Sequence, residues 1–440
     1  MDNSSFLKTK LNAPLYNAVK EYAEKDPARF HMPSHKGECV DSLYLSAPFD
    51  VTELDFSDDL MKASGVILDA ENLLAKTYNV DNALMHTNGA TSGLFSALYA
   101  VKRRTSKIIL SKNSHKSIYN AISVLGLEPV FCEVEFDEYG LPLPISADVV
   151  GRAILDNPDA GAVLVTTPDY FGRICDLLAI REVSEGRILV ADGAHGGHFV
   201  YTNMLENRAE KFADITVLGV HKTLNCYTGS CVVLCKNEFY RILKEGRELF
   251  HSTSPQYLSM CSIDYARAFF EQNGKRLYKE IFDKLVSLEL NTVQNYDFCK
   301  VLLKGGEKLS NYLKCNGVYP ECVYGDFVLL IVSPFDVDRL DRVKELVLSY
   351  NVVGEGTDVV SEYPSCEYAC KFNDCFDKDT EMVDLRHAVG RILAKEIGLY
   401  PPGVPAFIRG QRLSREAVEF LLNYEKSLFG VDSGCVCVLK

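Results

Sequence analysis

The chain has 440 residues, 47% of them hydrophobic and 24% charged, which suits a water-soluble protein of one large and one smaller domain. A formal charge of −13 argues against a nucleic-acid backbone as partner, because binding one needs clustered Lys and Arg, and mildly favours approach of a small cation. No apolar run reaches the roughly 18 residues of a membrane-spanning helix, and Met1-Asp2-Asn3-Ser4-Ser5 lacks a signal-peptide layout, so a cytoplasmic location is expected.

Residues 1–50, with His31-Met32-Pro33-Ser34-His35-Lys36-Gly37, read as an N-terminal arm, followed by a large domain over 51–300 and a smaller α/β domain over 301–440. From Thr87 to about Cys235, short β-branched runs alternate with helical patterns. Strands are expected at Lys107–Leu110, Glu128–Cys132, Ala162–Thr166, Ile188–Ala191, Ile215–Leu218 and Cys231–Leu234. Helices are expected at Ser92–Arg104, Ser117–Leu125 and Asp176–Glu185. This alternation implies a mostly parallel α/β sheet. The stretch 257–303 reads as helix-rich; beyond it follow a strand at Phe327–Val332 and helices at Asp338–Tyr350 and Val383–Glu396. The fifteen cysteines are scattered, and Cys366, Cys370, Cys375, Cys435 and Cys437 form no CxxC pair, so they are read as small apolar residues and no metal is expected.

Three places carry potential chemistry. Thr87-Asn88-Gly89-Ala90-Thr91-Ser92-Gly93 is a small-residue turn entering a helix, whose amides could hold a phosphate or simply cap the helix. Asp192 closes a buried strand where open α/β sheets bind ligands; it could pair with a pyridinium nitrogen or serve as an N-cap. His221-Lys222 ends the next strand thirty residues later, about one βαβ step. A lysine there could form a Schiff base, although taken singly a surface lysine is the simpler reading. His115, in Ser114-His115-Lys116-Ser117, could stack on the cofactor face opposite the lysine or be a solvated loop histidine. Turn, carboxylate and lysine in that order are far more specific than any one alone.

These residues resemble the fold-type I, pyridoxal 5'-phosphate-dependent Orn/Lys/Arg decarboxylases. The motifs are His31–Gly37, Thr52-Glu53-Leu54-Asp55 with Asp58-Asp59-Leu60, Asn88–Thr91, Ser114–Ser117, Asp192-Gly193-Ala194-His195-Gly196, His221-Lys222-Thr223-Leu224, His251-Ser252-Thr253-Ser254-Pro255 and Tyr400-Pro401-Pro402-Gly403-Val404-Pro405. The resemblance implies an aspartate-aminotransferase-like large domain with a mostly parallel seven-stranded sheet and a smaller C-terminal domain. It also implies that Lys222 attaches the cofactor, with His221 beside it, that Asp192 binds the pyridine nitrogen and that Ala194 packs under the ring. His115 would stack on the ring, and Ala90 and Thr91 would contact the phosphate. Thr253 would reach into a neighbouring subunit's site, which implies a homodimer. The length resembles the compact biosynthetic type, without an N-terminal wing domain.

The expected reaction is loss of carbon dioxide from a basic amino acid, arginine or lysine before ornithine, in polyamine-related metabolism. His221 or Lys222 is the expected proton donor, and Glu53, Asp55, Asp58 and Asp59 are candidate partners for the substrate's distal cation. Four positions depart from the family: Ser34 where Gly is frequent, Asp169 where Thr is, Gly219 where Ser is, and Gln411 where a Gly-Glu pair is usual. They bear on substrate identity more than on the cofactor. Another fold-type I reaction (aminotransferase or aldolase) and a catalytically silent regulatory relative are the rival readings.

Overall fold

Short apolar runs closed by Gly, Asn, Asp or Ser set the order of elements. The computed structural model describes residues 11–202, 206, 208–290, 297–350, 362–400, 404–425 and 428–440. Seven strands, β1 (Asn82–His86), β2 (Lys107–Ser111), β3 (Glu128–Cys132), β4 (Ala162–Thr166), β5 (Ile188–Asp192), β6 (Ile215–Leu218) and β7 (Cys231–Cys235), form one mostly parallel sheet in the order β1-β7-β6-β5-β4-β2-β3. Strand β2 runs parallel to β3 and β4, whereas β7 is antiparallel to both its neighbours. Every residue of β6 and β7 is buried, as continuous apolar strands require. Strand β1 was not anticipated. Ala83, Leu84 and Met85 favour helix as readily as strand, and what fixes them is five-residue pairing with β7.

The first nine helices are α1 (Pro14–Glu24), α2 (Val66–Tyr78), α3 (Gly89–Lys102), α4 (Lys116–Leu125), α5 (Ala147–Asp156), α6 (Leu177–Val183), α7 (Phe199–Thr202), α8 (Asn237–Phe250) and α9 (Tyr257–Leu288). The expected helices correspond to α3, α4 and α6. Asp176 starts α6 by accepting from the Ala179 amide at 3.0 Å, and α4 ends at Gly126 with φ +62°. Among the described residues no helix is long and apolar enough to cross a membrane.

The chain divides into two compact units, residues 1–100 with 191–280, and residues 101–190 with 281–440. In the first, Gly93 lets α3 lie on the sheet: a β-carbon there would stand 2.9 Å from Val217 Cγ1 and 3.0 Å from Cys231 Sγ. Arg247 of α8 and Glu71 of α2 form a buried pair at 2.6 Å. The guanidinium also donates to the Met85 and Leu60 carbonyls at 3.2 and 2.7 Å, while Glu71 accepts from the Met85 amide at 2.9 Å.

The second unit adds three small antiparallel sheets, one of them built from Lys300–Lys304, Phe327–Ile331 and Cys322–Tyr324. The helix expected over Val383–Glu396 is absent. Thr380–Asp384 is a strand paired with Cys435–Leu439, and Asp384 then caps a 3-10 turn at Leu385–His387. Gly390 has φ +80°, and Ile392 and Leu393 form isolated bridges to Arg412 and Val438. The apolar spacing imitates a helical stripe, but the left-handed glycine and the capping aspartate break it. Similarly, the helix-rich stretch 257–303 is helical only to Leu288, and Lys300–Lys304 is a strand.

Candidate active site

The small-residue turn lies between β1 and α3. Gly89, at φ +73°, donates its amide to the Gly229 carbonyl at 2.8 Å. Ahead of it, the Thr87 amide donates to Nε2 of His251 at 2.9 Å, and the Thr87 hydroxyl accepts from the Gln256 amide at 3.2 Å. Asn88 Oδ1 accepts from the Ser252 amide at 3.1 Å. His251 donates from Nδ1 to the Ser252 carbonyl at 2.7 Å. Burial, opposed by that carbonyl and aided by Arg247, holds its pKa below 6.5, so the ring is neutral. The turn is thus clamped from behind. Half-buried Ala90 and exposed Thr91 lie in the first turn of α3, where amides lack intrahelical acceptors.

Asp192 ends β5 and Lys222 follows β6, the neighbouring strand. The Asp192 carboxylate is buried, and Oδ1 accepts from the Ala194 amide at 3.2 Å. Desolvation raises its pKa above 3.8, opposed by the charge of nearby Lys222. The 3-10 turn Val220–Lys222 brings Nζ of Lys222 to 3.1 Å from Nε2 of His195. Half-buried His221 turns its Nδ1 onto the Ser230 carbonyl at 2.9 Å, and burial lowers its pKa, so Nδ1 carries the hydrogen of a neutral ring. Gly229 and Ser230 therefore tie the small-residue turn to the lysine turn, Gly229 through Gly89 and Ser230 through His221. Sequence reasoning assigned no role to His195, His251, Gly229 or Ser230; His195 and His251 were signalled only as members of their motifs.

A buried carboxylate, a lysine amine near it and a helix N-terminus with open amides match the pyridine nitrogen, aldehyde and phosphate of pyridoxal phosphate. Residues 13–308 match the family described as Orn/Lys/Arg decarboxylase, major domain, and residues 360–429 match its C-terminal domain. This chain belongs to the Orn/Lys/Arg decarboxylase family. An arginine decarboxylase of Bacillus subtilis (strain 168) is 28% identical over 461 residues, covering 93% of this chain and 92% of that one. The uncharacterized protein YaaO of the same organism is 30% identical over 455 residues, covering 93% and 94%. The lysine decarboxylase LdcF of Francisella novicida has the same fold, with a TM-score of 0.83 at 17% identity over 98% of this chain and 82% of that one.

The remaining expected residues have the following settings. His115, in the second unit, is exposed; it caps α4, accepting from the Ser117 amide at 3.2 Å. Thr253 is exposed, as are Ser252 and Ser254 on either side. Asp58 accepts from the amides of Asp59, Ser64, Gly65 and Ile67, which hold its pKa below 3.8 against desolvation. Asp59 caps the turn at Leu60–Lys62, whereas Glu53 and Asp55 are exposed. The Pro401–Gly403 part of the Tyr400 motif lies outside the described residues.

The four departures have distinct settings. Ser34 is exposed. Asp169 accepts from the amides of Phe171 and Arg173, both at 2.9 Å, and burial raises its pKa to about 6. Gln411 is buried, its oxygen accepting from the Ile408 amide at 2.8 Å and its nitrogen donating to the Cys366 carbonyl at 3.2 Å; a carboxylate could not make the second bond. At Gly219 a β-carbon would stand 2.9 Å from the Ala194 carbonyl oxygen.

Proposed function

We propose that this chain is a pyridoxal-phosphate-dependent carboxy-lyase that decarboxylates a basic amino acid, arginine or lysine before ornithine. The observation that carries this reading is the Lys222 amine, in a family member, near enough to the buried Asp192 carboxylate to oppose the rise in its pKa. The small-residue turn is joined to the same loops through Gly229 and Ser230. The cofactor, when bound, supplies an electron sink for the pair left as the bond to the α-carboxylate breaks.

Lys222 would attach the cofactor between turnovers, and the Ala90 and Thr91 amides would hold its phosphate. Asp192 would keep a proton on the ring nitrogen, while Ala194 would pack under the ring and His115 would stack on it. His221 gives its Nδ1 hydrogen to Ser230, so its Nε2 is a base that would first take up a proton and then return it to the product carbon; Lys222 is the other candidate donor. Thr253 would complete the site of a second copy in a homodimer. The exposed Ser252–Ser254 stretch supports that reading, as do Phe30 at 96% and Leu43 at 79% exposure in the arm of residues 1–50. A cytoplasmic location and polyamine-related metabolism are the proposed context.

The test is carbon dioxide release from arginine, lysine and ornithine by the cofactor-loaded protein. Release from at least one, lost in Lys222→Ala together with covalent cofactor attachment, is the expected result. Full turnover in that variant, or keto-acid formation in place of carbon dioxide, would refute it.

A further inference from the structure

His195 is 7% exposed, and its Nε2 stands 3.1 Å from Nζ of Lys222. The two loops that carry these side chains are pressed together at three positions lacking a β-carbon. Added at Gly193, one would lie 3.1 Å from Leu218 Cδ2; at Gly197, 3.0 Å from Thr223 Oγ1; at Gly219, 2.9 Å from the Ala194 carbonyl oxygen. Each loop is also pinned from outside. The Tyr78 hydroxyl donates to the Gly197 carbonyl at 2.7 Å, and the Tyr278 hydroxyl donates to the Thr223 carbonyl at 3.1 Å. Within the histidine loop, the Gly196 amide donates to the Gly193 carbonyl at 2.7 Å. Close backbone approach and two tyrosine anchors preset the distance between imidazole and amine.

We propose that His195 is the positioning residue for Lys222. This rests on the reading that Lys222 attaches the cofactor. In this role Nε2 of His195 accepts an N–H of Lys222, which requires the hydrogen of the ring to be on Nδ1. The amine's lone pair is then directed away from the imidazole, and the long lysine side chain is held in one rotamer. When substrate displaces Lys222, the same nitrogen receives the freed amine and keeps it within reach for the return step. No bond is made or broken by His195 in this role.

The test compares wild type, His195→Phe and His195→Gln as cofactor-free protein. The rate of covalent attachment of pyridoxal phosphate is followed by absorbance and by borohydride trapping across pH 6 to 9, the range that brackets lysine nucleophilicity in folded sites. Binding of pyridoxamine phosphate, which cannot attach to a lysine, is measured in parallel. His195→Phe should attach about five- to tenfold more slowly, the loss expected for one buried hydrogen bond, with pyridoxamine phosphate affinity kept within about twofold. His195→Gln, whose Oε1 can accept the same N–H, should recover most of the rate. A wild-type rate and pH profile in His195→Phe would overturn the proposal, and so would a parallel loss of pyridoxamine phosphate binding. Attachment that persists in Lys222→Ala would instead sink the underlying functional reading, so the two failures are distinguishable.

Discussion

The Thr87 amide donates to Nε2 of His251 at 2.9 Å, and this bond requires an unprotonated nitrogen at that corner of the ring. Since Nδ1 already donates to the Ser252 carbonyl, protonation of His251 would set two hydrogens against each other at Nε2. The imidazole of His86, 5.7 Å away by ring centroids, is also buried and is held well below its ordinary pKa by desolvation, with Arg247 and His251 adding to the effect. In both histidines the folded pKa lies below the unfolded value. Their stability contribution is therefore present above about pH 6.5 and lost as pH falls through the folded values. The melting temperature of the cofactor-free protein should fall as pH drops below about 6.5. His251→Gln, able to accept from Thr87 without titrating, should flatten that fall; an unchanged slope would place the sensitivity elsewhere.

Asp192 is expected to trade stability for chemistry. Its buried carboxylate has a raised pKa, so the charged form is disfavoured in the cofactor-free fold. Asp192→Asn keeps the shape and an oxygen for the Ala194 amide while removing the charge. Cofactor-free Asp192→Asn should melt at or above the wild-type temperature, yet its turnover should drop by about a hundredfold or more. Calorimetry and carbon dioxide release measure the two arms, and an unaltered rate would mean that the ring nitrogen has another partner.

Restoring the serine usual at position 219 should weaken the protein instead of improving its hold on phosphate. The new β-carbon would meet the Ala194 backbone oxygen at 2.9 Å, and a backbone atom cannot swing aside as a side chain could. Gly219→Ser should cost about 1–3 kcal/mol in chemical denaturation and raise the cofactor's dissociation constant. A tighter cofactor complex would contradict this.

The Arg247–Glu71 pair joins α8 to α2 and also satisfies the backbone of β1 and the Leu60 carbonyl. Arg247→Met should cost about 3–5 kcal/mol, because it leaves Glu71 buried without a cation. Adding Glu71→Gln should recover part of that loss, since the amide oxygen still accepts from Met85. Equal denaturation midpoints for the single and double variants would show that packing, not charge, dominates.

What could be read from the residues follows how local each signal is. Strands β2 to β7 are short apolar runs with turn formers beside them, and the helices α4 and α6 carry their own caps, so neighbouring residues specify them. Strand β1 depends on β7, about 150 positions later in the chain, and Val383–Glu396 has an apolar spacing that only Gly390 and Asp384 contradict. Asp192 and Lys222 are legible because one closes a buried strand and the other lies in the turn that follows the next. The placement of His195 is not, because it depends on three missing β-carbons and two tyrosines from α2 and α9. The acidic residues near position 55 carry a plausible charge for a cationic substrate, yet for Asp58 and Asp59 the local backbone amides are the partners.

The contact at Gly219 also constrains the order in which sequence changes could have accumulated. As long as the Ala194 carbonyl lies where it does, a side chain added at 219 presses on it. Once the carbonyl has withdrawn, the same change becomes neutral or helpful. Lineages with glycine and with serine would then be separated by a substitution whose sign depends on the opposite loop. Ancestral reconstructions that swap position 219 alone should fail where swaps of both loops succeed.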